Sequence, residues 1–233
     1  MSVLLLTLTG PLQSWGASSR FVRRGTESAP TKSGVLGLLA AAQGRRRTDP
    51  VEDLAGLRFG VRIDQPGRLV RDFQTARSLD GKQTMPLSYR FYLADAVFLA
   101  AVEGDGAFLE VLAEALRRPV FPLYLGRRSC PPTGPLPARV LDGTVEEVLE
   151  AAPWAARKWW RDKPENRGGV PVETIIDCPP ATAGAVTLRD HPLSFDPQRR
   201  EYGWRTVRYG SVLVHGAGAR PVSRDSHDPM AAW

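Results

Sequence analysis

Tyr124-Leu125-Gly126-Arg127-Arg128-Ser129 puts an aromatic ring, a glycine, two guanidinium groups and a hydroxyl in a row, between Pro122 and Pro131. Each guanidinium offers a rigid fork of donors, so an arginine pair beside a flexible glycine suits phosphate oxygens. Further upstream, Gln13-Ser14-Trp15-Gly16 follows an apolar run and can turn over the face of a sheet. Trp15 could stack on a base or plug the core beneath that loop. Lys32 and Ser33 come just after Pro30, where free backbone N–H groups at a helix start attract phosphate. Capping alone accounts for Ser33, but a cation is disfavoured at that end of a helix, which points Lys32 toward a ligand. Arg71-Asp72-Phe73-Gln74-Thr75 alternates polar and apolar side chains, and a solvated strand face explains it equally well. Trp154, Trp159 and Trp160, interleaved with Arg157, Lys158 and Arg161, read either as a basic aromatic patch or as a small core.

Covalent and acid–base chemistry has less support. The histidines are His191, His215 and His227, none set beside Cys or Ser in a recognised arrangement. No P-loop, HExxH or nucleophile elbow occurs. Tyr89, Tyr92, Lys82 and His215 qualify as acids or bases by type only, and Asp72 and Asp95 suit structural roles. Cys130 and Cys178 lie far apart without a CxxC, so neither a zinc site nor a disulfide framework is suggested, and no cofactor is implied.

The elements that must position these residues follow from pattern. Ser2–Thr9 predicts a first strand, too short and too abruptly ended by Gly10-Pro11 for a secretory signal. No apolar stretch approaches the ~20 residues of a membrane span, so a soluble, cytoplasmic chain is expected. A helix is predicted after Pro30, capped by Thr31 or Ser33 and ended by Gly44, with Arg45-Arg46-Arg47 beyond it in solvent or on RNA. Leu57–Ile63 predicts a second strand, with Phe59, Val61 and Ile63 inward against Arg58, Gly60 and Arg62. Leu69–Ala76 predicts a third strand, and Leu87–Val102 contains another. The Asp80-Gly81 turn signal between them makes residues 70–91 a protruding hairpin. Asp105–Arg118 predicts a helix buried along Phe108, Val111, Leu112, Ala115 and Leu116, and Val120–Leu125 a closing strand. The order is βαββαβ, a ferredoxin-like α+β arrangement shared with RNA-recognition modules. From there the texture turns to Pro, Gly and clustered Trp, so residues 1–147 are expected as one domain and 148–233 as a smaller β-rich one, frayed after Ser223. Lys and Arg number 31 against 25 Asp and Glu, a formal charge of +6, which permits nucleic-acid binding without establishing it.

Taken together, Pro11–Gly16, Pro30–Gly34 with Gly37-Leu38-Leu39, Arg71–Thr75 and Tyr124–Pro131 resemble the Cas-five (CasD) family of the type I-E CRISPR surveillance complex, Cascade. The resemblance covers about residues 1–137. It implies a non-catalytic subunit with an RNA-recognition-like palm, a β-hairpin thumb and a small C-terminal domain. Such a subunit caps the 5′ handle of the CRISPR RNA beside the CasC backbone subunit and the large CasA subunit. Target DNA is involved indirectly, since its sequence is read by RNA–DNA pairing. Residues implied in RNA contact are Gln13, Trp15, Gly16, Lys32, Ser33, Arg71, Gln74, Thr75, Arg77, Lys82, Met85, Arg90, Tyr124, Gly126, Arg127, Arg128 and Ser129. Met85 would wedge against a base at the thumb tip while Arg71, Arg77 and Arg90 hold the backbone. Two other readings stay open: a metal-independent endoribonuclease that processes repeat RNA, as in type I-C relatives, and a ferredoxin-like protein with no RNA role.

Overall fold

The computed structural model describes residues 1–16, 23–166 and 168–215. His227 and the tail after Ser223 lie outside these described residues. In chain order the elements are β1 (Ser2–Thr9), β2 (Leu12–Gln13), β3 (Arg23–Arg24), α1 (Lys32–Ala42), α2 (Glu52–Ala55), β4 (Arg58–Gln65), β5 (Arg68–Gln74) and β6 (Ser88–Ala94). Then follow β7 (Val97–Gly104), α3 (Gly106–Arg117), β8 (Ala138–Asp142), α4 (Val145–Ala151), α5 (Lys158–Arg161), β9 (Val170–Asp177), β10 (Val186–Ser194) and β11 (Glu201–Val214). The fold mixes helices with antiparallel sheets. A seven-stranded sheet runs β10-β11-β9-β4-β7-β1-β8. In a second sheet β6 is the spine, with β5 along one edge and β2 and β3 sharing the other. Among the described residues no helix is long and apolar enough to cross a membrane.

β1 lies between β7 and β8 and is covered on both faces, which explains its nearly continuous apolar run. Leu4, Leu6 and Leu8 meet Val35, Leu36 and Leu39 of α1 and Leu109 and Leu112 of α3, while Val3 faces Val145, Val148 and Leu149 of α4. The Thr31 hydroxyl caps α1 by accepting the Gly34 N–H, and Gly44 turns the chain away at φ +80°.

Four expectations change. α3 buries Leu109, Leu112, Ala113 and Leu116, and Val111 is 57% exposed. The helix is rolled so that the i, i+3, i+4, i+7 set centred on Leu112 meets the sheet. Val120–Leu125 is not a strand. Pro119 and Pro122 lack ladder donors, and the N–H groups of Val120 and Phe121 instead donate to Ala42 and Ala41 at the end of α1. The strand beside β1 is β8. Leu87–Val102 divides into β6 and β7 in different sheets, with Asp95 between them at φ 58°. Gln65 and Pro11 hold that kink: Gln65 Nε2 donates to the Asp95 carbonyl, and the Asp95 N–H donates to the Pro11 carbonyl.

In β4 the expected solvent face is covered by α4. Arg62 is 0% exposed. Its guanidinium pairs with Asp64 and donates to the carbonyls of Leu149, Ala152 and Pro153. A Cβ on Gly60 would collide with Val145 of α4, so glycine is what lets the helix come this close. Beyond residue 148 the chain returns to the same layer: β9 pairs with β4, and β11 and β10 follow outward.

Candidate nucleic-acid interface

The loop after β1 and the loop 125–130 are built against one another. The Ser14 N–H donates to the Leu125 carbonyl at 3.1 Å, and Leu125 and Cys130 close the turn through N–H to O=C at 2.8 Å. Gly126 sits at φ +83°, where a Cβ would strike the Ser14 carbonyl, so the tight contact requires glycine. With Leu125 and Cys130 buried as anchors, Gly126, Arg128 and Ser129 are exposed, and Arg127 and Tyr124 are half-buried. Burial pushes the Cys130 thiol up from its ordinary value, so it stays protonated as part of the packing.

Arg127 lies over the Tyr92 ring, its guanidinium carbon 4.9 Å from the ring centroid. Its Nη2 approaches the carbonyls of Arg24 and Gly25 at 3.4 and 3.5 Å. Its Nη1 is shielded from solvent and has no hydrogen-bond partner among the described residues, and the same holds for Arg90 Nε. Arg90 is paired in register with Arg24 of β3 and Asp72 of β5, so Arg24, Arg90 and Arg127 come together where β3, β6 and the 125–130 turn meet, with Arg128 exposed next along that turn. Burial raises the Tyr92 phenol's pKa, but the Ser129 hydroxyl and the Arg127 guanidinium outweigh it and hold it below its usual value. The result is a cationic ledge on an aromatic base, with donor capacity that the described residues do not use. Such a surface suits an anion with several oxygens.

Other expected residues have different employment. Trp15 is 0% exposed, against a stacking role, and is the plug under its loop, with its Nε1 donating to Gln13 Oε1. Gln13 is buried as well, its Nε2 donating to the carbonyls of Leu8 and Ala96. Gly16 is exposed beside them. Lys32 is 4% exposed, and its ammonium donates to Asp177 at 3.0 Å instead of reaching out to a phosphate. Asp177 and Asp190 also hold Arg205, and Asp190 accepts the Lys32 N–H at the start of α1. The anion that the helix N-terminus attracts is therefore a carboxylate supplied by β10. Ser33 is buried beside it.

The hairpin extends from Arg68 to Ala94, with Ser78–Gln83 at the tip and an isolated bridge between Arg77 and Thr84. Arg71, Gln74, Thr75, Arg77, Lys82 and Met85 are exposed on it, and Gln74 donates to Asp72. Two features escaped sequence reasoning. Phe73 pairs across the strands with Tyr89, and with Leu69 they leave an exposed apolar face that the period-two spacing of Leu69, Arg71 and Phe73 signals. Arg24 was visible as half of an arginine pair, but only the short parallel pairing with β6 brings it to Arg127. Tyr92 sits beneath Arg127, Tyr89 on the hairpin face, Lys82 at its tip and His215 beside Gly169, so the acid–base candidates occupy separate surroundings.

A family model described as CRISPR-associated protein (Cas_Cas5) matches residues 3–208. The chain belongs to the Cas5 family. This Cas5 chain is 37% identical over 156 residues to the "CRISPR system Cascade subunit CasD" of Escherichia coli (strain K12), a match covering 58% of this chain and 69% of that one. It also resembles a solved chain of a "CRISPR RNA-guided surveillance complex", at 36% identity and a TM-score of 0.76 over 96% of this chain and 95% of the other. A second solved structure, described as a Cas protein, is 37% identical with a TM-score of 0.71 over 92% and 98%. The Cas5 pattern runs through β9 and β10 into β11, so the strands supplying Asp177, Asp190 and Arg205 lie within the family match.

Proposed function

We propose that this Cas5 chain is the CRISPR RNA-binding CasD subunit of a type I-E Cascade complex in the cytoplasm, serving antiviral defence without catalysing RNA cleavage. The palm is the ferredoxin-like unit β1-α1-β4-β7-α3-β8, whose strands lie in the order β4-β7-β1-β8. The β5–β6 hairpin is the thumb. The 5′ handle lies along the ledge of Arg90, Arg127 and Arg128, with Gly126 allowing close backbone approach and Tyr124 and Ser129 at its margin. Arg71, Arg77, Lys82 and Met85 meet the strand from the thumb, beside the CasC backbone subunit, and CasA is the other neighbour. Target DNA is engaged through pairing with the guide.

The observation that carries this reading is the pair of shielded guanidinium nitrogens, Arg127 Nη1 and Arg90 Nε, that no acceptor among the described residues meets. Buried donors are ordinarily satisfied, so a group of phosphate oxygens is the natural complement. The test is a salt titration of handle-RNA binding by fluorescence anisotropy. Replacing Arg127 and Arg128 by Ala is expected to lower the log–log salt slope by roughly 1.4, since each single-strand phosphate contact contributes ~0.7. Lysine at both positions restores binding only in part, because an ammonium lacks the planar fork. An unchanged slope with native circular dichroism refutes the ledge. Repeat RNA incubated with the pure chain, with and without divalent metal, is expected to stay intact; site-specific cleavage lost on changing one side chain establishes the endoribonuclease reading instead.

A further inference from the structure

We propose that α5 and the turn after it form a second contact for single-stranded nucleic acid, built on Trp159 and accepting DNA as readily as RNA. The three tryptophans of this region part company in the structure. Trp154 is buried and its Nε1 donates to the Asp64 carbonyl at 2.9 Å, so it belongs to the packing. Trp159 is 51% exposed. Trp160 meets it edge to face, with centroids 5.7 Å apart and planes at 87°, which fixes the exposed ring in place. Lys163 stands 4.2 Å from the Trp160 centroid and 5.5 Å from that of Trp159. A flat, held aromatic surface with cations at its rim has the composition of a base-stacking platform.

The charges support the same partner. Asp162 and Glu165 are engaged by Lys158 and Lys163. That leaves Arg157 and Arg161, whose Nε atoms are shielded and lack an acceptor among the described residues. Arg157 also forms a loose ion pair with Asp95 through Nη1 at 3.9 Å, which leaves its Nε without an acceptor among the described residues. Arg157, Lys158, Arg161 and Lys163 fall within seven residues around Trp159, and that density of cations complements phosphate. Base stacking and phosphate contacts are open to DNA and RNA alike, so a surface built on them does not depend on the ribose 2′-hydroxyl. Its position favours continuation of a strand from the hairpin. The Arg157 N–H donates to Gln65 Oε1, and Gln65 Nε2 holds the Asp95 carbonyl at the foot of β6.

The experiment uses the full chain with Arg127 and Arg128 replaced by Ala, so that the contact is measured apart from the ledge. Fluorescein-labelled dT and rU oligomers are titrated at low salt and across a salt series. Trp159→Ala is expected to weaken both roughly five- to 150-fold, the range of losing one stacked base, and Trp159→Phe to retain most of the affinity. Arg157→Ala with Arg161→Ala is expected to reduce the salt slope by roughly 1.4. If Trp159→Ala does not fold, photo-crosslinking of the otherwise unchanged chain to 5-iodouridine oligomers decides, with a crosslink expected within residues 157–163. Unchanged affinity and slope in folded variants, or no crosslink there, overturns the proposal. A loss confined to protein–protein assembly also overturns it and assigns the surface to a protein. A strong preference for RNA refutes the indifference to the sugar.

Discussion

Two cation-rich regions of this chain look alike in sequence and behave oppositely in the fold. Around Lys32, every cation is answered: Lys32 and Arg205 meet Asp177 and Asp190, and both carboxylates also take backbone N–H groups. Burial alone would push the Arg205 guanidinium down, but Asp190 and Asp177 outweigh it and hold it above its ordinary value. Around Arg127, no ion pair forms among the described residues, and Arg127 Nη1 and Arg90 Nε stay shielded with no acceptor among them. The lesson is that a cation marks a ligand site only when the surrounding chain leaves it unmatched. Charge in the first region holds the fold together. Charge in the second remains available.

The largest effect should come from removing the matching carboxylates altogether. Residues 1–147 alone would leave Lys32 without Asp177 and Arg62 without the carbonyls of Leu149, Ala152 and Pro153. Breaking the Lys32–Asp177 pair costs about 3–5 kcal/mol, and Arg62, still paired with Asp64, loses three buried carbonyl acceptors besides, which together rival the lower end of the ~5–15 kcal/mol that holds a typical domain. No cooperative thermal transition is expected from this fragment, and a sharp one would show that the two halves fold independently. Next in size, Arg205→Ala in the full chain is expected to lose about 3–5 kcal/mol in urea unfolding, because buried Asp190 loses its two-pronged partner and the part-buried Asp177 is left with Lys32. A loss below ~1 kcal/mol would erase the contrast drawn above.

Arg127→Ala with Arg128→Ala should show the reverse profile. Stability is expected to move by less than about 1 kcal/mol, as exposed and half-exposed charges contribute little, while RNA binding falls. A stability loss as large as that of Arg205→Ala would make the ledge structural.

The smallest effect belongs to an intermediate case, Arg58 with Glu146, which ties β4 to α4 at partial exposure. The hydrogen bond from Arg58 holds the Glu146 carboxyl below its ordinary value of 4.5, against burial. A depressed folded value means that the stabilisation is complete above the ordinary glutamate range and is lost as pH falls through the lowered one. Glu146→Gln should therefore cost well under ~1 kcal/mol at neutral pH and flatten the acid side of the stability profile. An unchanged acid limb in urea melts between pH 5 and pH 2 would show that this pair is merely solvated.

Legibility followed locality. The cap at Thr31, the stop at Gly44 and the Asp80-Gly81 turn are settled within a few residues, and each forms as its pattern indicates. The roll of α3, the irregular Val120–Leu125 and the fate of Arg62 depend on what packs from elsewhere. At the candidate site, Gly126-Arg127-Arg128 was visible as an anion-binding turn because its three residues are adjacent. Tyr92 beneath it and Arg24 beside it were not, since only strand pairing brings them there.

By itself, the sequence determined the capped first helix, the hairpin, the cationic turn and the family resemblance, all of which rest on short-range stereochemistry or contiguous motifs. Tertiary structure alone decided that Trp15 is core, that Lys32 is spent on Asp177 and that Trp159 faces solvent. The physical reason is desolvation. A charged or aromatic side chain acts on a ligand or on its own fold according to which partners reach it, and those partners here stand up to 158 residues away along the chain.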